Sequence, residues 1–167
     1  MKRIVLGLVK AACVASVVLA VVSCGGGKKT EKQEAPPVNI GQMAESNFWA
    51  MRVDSVVERV TPGMDRYYLL VYGVVKNITS QDQPFTLQDM ALVLAVERHD
   101  TSEMVYQIDG IVSQSEMKKF DWPASTTVKA GEETKVILAY SLPKEAKPTL
   151  IKFNDGVGAK VTFIRIK

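Results

Sequence analysis

The run "RYYLLVYGVVKN", residues 66–77, constrains the fold of this chain more than any other stretch. It is apolar at both parities as far as Lys76, so it suits a central strand. Asn77 closes it, and "ITSQDQP" makes a loop. Further on, "VKAGEETKVILAYSLP" alternates most clearly. Val136, Leu138, Tyr140 and Leu142 fall on one parity, Lys135, Ile137, Ala139 and Ser141 on the other, and Pro143 ends the run.

Other segments carry the same period. "FWAMRVDSVVERV" places Trp49, Met51, Val53 and Val57 on one parity before Pro62 and Gly63 break the pattern. "ALVLAV" puts Leu92, Leu94 and Val96 on one face, and "ERHDT" makes a charged turn. "MVYQIDGIV" reads as a weaker strand with Gly110 at a bulge or bend. "SEMKKFDWPAS" is irregular, with 113–119 fitting a helical turn. "TLIKF" follows the "KEAKP" turn, and "AKVTFIRIK" follows "NDGVG". Seven or eight strands with turns every eight to twelve residues or so predict an all-β sandwich or barrel.

Three groups of residues carry a resemblance. They are the strand ending in Val75-Lys76-Asn77, the later strand through Leu92, and the turn Gly131-Glu132-Glu133-Thr134 leading into Val136, Leu138, Tyr140 and Leu142-Pro143. In these the chain resembles the telokin-like, immunoglobulin-type antiparallel sandwich domains of bacterial secreted proteins and lipoproteins, many of unknown function. Tyr140 stands where that family usually has phenylalanine, and one glutamate is extra. The resemblance implies a fold more than an activity.

The N-terminus is a separate matter. Met1, Lys2 and Arg3, then Lys10, precede twelve uncharged residues, Ala11 to Val22. This is the layout of a secretory signal peptide. The run is short against the roughly twenty residues a membrane span needs, and counting from Ile4 includes Lys10. A transmembrane anchor stays as the alternative. Val21-Val22-Ser23 before Cys24 resembles the lipobox of bacterial lipoproteins. That resemblance implies diacylglyceryl transfer to the Cys24 thiol, cleavage before Cys24, and membrane lipid as a partner. The thiolate is the nucleophile such a transfer needs. Cys13 has Lys10 where the aliphatic residue belongs, so it does not match. Stable anchoring takes more than one acyl chain. Processing would leave a chain with no disulfide and no free thiol.

The full chain has 21 Lys and Arg against 18 Asp and Glu, and removing Lys2, Arg3 and Lys10 with the signal leaves 18 of each. A neutral mature chain gives no electrostatic case for nucleic acid. Residues 1–23 are read as signal peptide, 24–46 as the lipidated cysteine with a disordered tether, and 47–167 as the sandwich, expected to be monomeric. The tether stretch lacks a large apolar residue before Val38.

Residues for catalysis are sparse. The single histidine, His99, sits in a charged turn, and no phosphate loop or glycine-flanked serine elbow occurs. "NDGVG" lacks the spaced acids of a calcium loop and reads as a tight turn. Asn77-Ile78-Thr79 fits a glycosylation sequon, a match that a bacterial signal makes mostly accidental. No catalytic residue, metal ligand or cofactor is expected. Phe120 and Trp122, in "KKFDWP", are candidate partner contacts, or else plugs of one open end of the sandwich. The expectation is a lipoprotein of the bacterial envelope, outer membrane included, whose sandwich binds an envelope protein or ligand without catalysing a reaction. The alternatives are an accessory lipoprotein of an envelope complex and an enzymatic domain.

Overall fold

The computed structural model describes residues 36–88, 91–99, 102–155 and 160–167, with the side chains of 91–99 and 102–105 set aside. In chain order the elements are β1 (Val38–Asn39), β2 (Met43–Glu45), β3 (Trp49–Val60), β4 (Arg66–Asn77), β5 (Gln83–Thr86), β6 (Ala91–His99), β7 (Ser102–Gln107), α1 (Gly110–Lys118), β8 (Ser125–Val128), β9 (Glu133–Pro143), β10 (Leu150–Asn154) and β11 (Thr162–Arg165). One sheet has the order β1-β11-β10-β6-β7, a second β2-β3-β4-β9, and a small third pairs β5 with β8. All pairings are antiparallel except β1 with β11. Leu69, Val71, Leu138 and Tyr140 of the second sheet share one buried cluster with Ile151, Phe153 and Ile164 of the first. The fold is an all-β sandwich.

β4 is the central strand its two apolar parities predict, with β3 on one side and β9 on the other. Its register sets the faces. Tyr67, Leu69, Val71 and Val75 share the inner face with Val136, Leu138, Tyr140 and Leu142. Leu70 shares the outer face with Ile137 and Ala139 across the β4–β9 pair, and all three are fully buried. Helix α1 and the segment after it cover that outer face, which gives the second apolar parity its partner.

Several differences from the sequence reading have clear causes. On β3, Trp49, Met51 and Val53 are buried as expected, but Val57 is 46% exposed. The ladder slips between Val53 and Ser55, so Asp54 is an extra residue and the parity inverts. Val56 then packs against the core in place of Val57. Gly73 stands opposite the slip, where a Cβ would lie 2.2 Å from the Arg52 carbonyl oxygen. The bulged strand can approach only because that side chain is missing.

The folded part also begins earlier than Asn47. β1 and β2 lie within the stretch read as tether, and they pair with β11 and β3. Two- and three-residue strands in polar sequence carry no readable period. Gly110 is not a bulge in a strand. β7 stops at Gln107, and Gly110 opens α1, with Asp109 as N-cap accepting from the Val112 N–H at 3.0 Å. The helical turn expected at 113–119 is the C-terminal part of this nine-residue helix, which starts three residues earlier, and β8 begins where the irregular stretch ends, at Ser125.

Two of the pieces that carry the resemblance, the strand end at Asn77 and the turn at Gly131, meet in space. The Asn77 side chain is fully buried, and its Nδ2 donates to the carbonyls of Gln81 at 2.7 Å and Val128 at 2.9 Å. Its Oδ1 accepts from the Thr79 N–H at 2.9 Å and hydroxyl at 2.8 Å. Gly131, at φ 77°, donates its N–H to the Asn77 carbonyl at 3.0 Å. Asn77 works through its side chain, which ties the loop after β4 to the end of β8. A buried amide with every hydrogen committed is no acceptor for a glycan.

Candidate functional site

Cys24 and the signal peptide lie outside the described residues, as does most of "NDGVG" after Asp155. Asp155 itself is buried and accepts from the Asn47 and Phe48 backbone N–H groups at 2.8 and 2.6 Å. That carboxylate ties the end of β10 to the β2–β3 turn. His99 pairs with Ser102 on the β6–β7 ladder, and Asp100 falls outside the described residues. Among the described residues no helix is long and apolar enough to cross a membrane.

The structure divides Phe120 from Trp122, and α1 explains how. The helix is pinned at its start against the edge of β9. The Asp109 N–H donates to the Ala139 carbonyl at 2.8 Å, and the Ser113 hydroxyl accepts from the Ala139 N–H at 2.8 Å. Both polar groups of that edge residue are thereby satisfied. Met117 inserts fully into the core. Glu116 turns onto the outer face and meets Arg59, which shares that face with Tyr68 and Ser141 by register. The Arg59 guanidinium is bidentate to it, at 2.5 and 3.1 Å, and the Lys119 ammonium adds a contact at 2.7 Å. These two cations, Arg59 first, hold the Glu116 carboxyl below its ordinary range, against the opposing effect of burial.

The helix then ends in a tight closure. The Trp122 N–H donates to the Met117 carbonyl at 3.1 Å and the Asp121 N–H to that of Lys118 at 3.2 Å. This geometry needs a left-handed residue, usually glycine, and here it is Asp121 at φ 56°. The turn brings the flanking rings together, with Phe120 and Trp122 stacked at 5.1 Å between centroids and 30° between planes. Trp122 is half-buried against the core, and the Lys135 ammonium lies 5.2 Å from its ring centroid. Phe120 is 51% exposed. Trp122 is therefore a prop with its faces taken, and Phe120 is the ring offered to solvent. Lys118, Asp121 and Lys135 are also exposed.

A second feature was not legible locally. A cleft of about 330 Å³ opens at the β3–β4 hairpin end of the sandwich, lined by Glu58, Val60, Tyr67, Lys144, Ala146, Lys147 and Lys167. Glu58, Val60 and Tyr67 belong to the inner face of the second sheet by register. The lysines come from the "KEAKP" turn and from the residues after β11, far apart in sequence.

No protein-family model matches the chain, and no curated sequence does. Solved structures do. A conserved hypothetical protein from Bacillus anthracis superposes with a TM-score of 0.54 at 20% identity, over 78% of this chain and 95% of that one. The yjhA protein from Bacillus subtilis gives a TM-score of 0.50 at 12% identity, over 78% and 99%. An uncharacterized beta-sandwich protein from Clostridium difficile gives 0.48 at 14% identity, over 82% and 99%. At these identities the first two show a shared fold and nothing of activity.

Proposed function

We propose that this chain is a lipoprotein of the bacterial envelope, held by acyl chains on Cys24, whose sandwich is a non-catalytic binding module with Phe120 at its contact surface. The lipobox-like Val21-Val22-Ser23-Cys24 after a basic, then apolar, N-terminus supports the anchor. The single observation that carries the binding role is the half-exposed Phe120 ring, fixed on Trp122 by a turn that holds Asp121 left-handed. A solvent-facing aromatic on a rigid, strained turn is organised in advance of contact, so little ordering entropy remains to be lost on binding. The exposed Lys135 ammonium beside Trp122 adds a donor for an acidic or carbonyl-bearing partner.

The test uses the acylated full chain in its native envelope, with a photo-reactive phenylalanine analogue at position 120 and, as control, at exposed Val57. A discrete adduct from position 120 that is absent from 57 supports the reading. Equal, diffuse labelling from both positions contradicts it.

A further inference from the structure

We infer that the hairpin-end cleft is a second binding site, for a small anionic amphiphile with a carboxylate or phosphate head and a short apolar body. Its volume of about 330 Å³ sits at the lower end of ligand pockets, which run from roughly 300 to 1,000 Å³. Charge around it is unbalanced, with three lysines against Glu58 alone in the lining. Lys167 is engaged with Glu58 at 3.0 Å. Lys144 lies 3.8 Å from Asp65, whose side chain is fully exposed, so that pair holds it weakly. Lys147 has no ion pair among the described residues.

The backbone that carries Lys144 and Lys147 is fixed. The Tyr67 hydroxyl donates to the Ala146 carbonyl at 2.8 Å, the Ala146 N–H to Pro143 at 3.0 Å, and the Lys144 N–H to Asp65 at 3.2 Å. Two ammonium groups three residues apart therefore project from a held turn. Beneath them the Tyr67 ring is buried, and Val60 is 63% exposed, an apolar side chain with nothing over it. An anionic head between the lysines with its body on Val60 and Tyr67 satisfies both halves of the lining. Charge complementarity selects the head, and the uncovered apolar floor selects against a bare inorganic anion.

The probe is 1-naphthyl phosphate, fluorescent and anionic, titrated by anisotropy into the acylated full chain in phosphatidylcholine nanodiscs, with empty nanodiscs as blank. The wild type should bind it, bind uncharged 1-naphthol no better than the blank, and lose affinity as salt rises. Lys144→Glu with Lys147→Glu should weaken binding at least about tenfold. Glu58→Gln removes the one lining carboxylate and should tighten it about threefold, as expected for a unit charge several ångströms away in a near-aqueous setting. Phe120→Ala should change nothing, which separates this site from the aromatic one. Nanodiscs of equal parts phosphatidylglycerol and phosphatidylcholine distinguish the source. Loss of probe binding there assigns a lipid headgroup, and retention assigns a soluble anion. Absence of wild-type binding, equal binding of 1-naphthol, or unchanged affinity in the double lysine variant would overturn the inference.

Discussion

Glu116 and Arg59 lie on different elements, α1 and β3, yet form a bidentate pair in which the carboxylate is only 6% exposed and the guanidinium 46%. This pair and Met117 fasten the helix to the outer face of the sheet. Replacing Glu116 by Gln should cost about 1–2 kcal/mol at neutral pH, discounted because Arg59 and Lys119 keep access to water. The sign with pH follows from a folded-state value below the ordinary 4.5. The stabilisation is complete above that value and is lost as pH falls from about 4.5 through the folded-state value. Urea denaturation of wild type and Glu116→Gln should therefore differ at pH 7 and converge in acid.

Tyr140 is fully buried, and its hydroxyl has no hydrogen-bond partner among the described residues. Burial alone pushes its ionisation far up. Tyr140→Phe should then stabilise the sandwich by up to about 1 kcal/mol, because the desolvated hydroxyl has nothing to lose. A thermal melt suffices, and a clear destabilisation would reveal a partner for the hydroxyl.

Gly73→Ala should destabilise by about 1–3 kcal/mol, since the new Cβ meets the Arg52 backbone carbonyl and the strand must shift. If the bulge is relieved instead, Val57 should become protected and Val56 exposed, which side-chain NMR would read directly.

How far could such features be read from residues alone? β4 and β9 were legible because a strand buried on both faces or one writes its parity into the sequence. The bulge at Asp54 was not, although Gly73 in the middle of an apolar strand was its signal. Helix α1 was legible only as a turn at 113–119, because its buried residues are Ser113, Glu116 and Met117, while Ile111 is 84% exposed. Such a helix has no apolar stripe, since polar contacts to Ala139 and Arg59 do part of the holding. Phe120 and Trp122 stood out as a pair, but which one faces water depends on the left-handed turn at Asp121. The cleft joins lysines from two distant segments, a juxtaposition no local pattern contains.

For the aromatic pair, Trp122→Ala should cost about 2–3 kcal/mol, below the range for fully buried aromatics because the ring is half-buried. Phe120→Ala should cost less than about 1 kcal/mol. Asp121→Gly should gain about 0.5–1 kcal/mol by relieving the left-handed strain. In a Trp49→Phe background, the Trp122 emission should be intermediate in colour and should change on Phe120→Ala as its stacking partner is lost. Chemical denaturation of the three variants orders them.

The anchor is tested most directly by mass spectrometry of the N-terminal peptide from the membrane fraction of the native host. The expected result is a mature chain that begins at Cys24 and carries a diacylglyceryl group on its sulfur, and a Cys24→Ala variant that stays uncleaved and unmodified. A mature wild-type protein with an unmodified Cys24, or one that retains Met1 through Ser23 in the membrane, would contradict it.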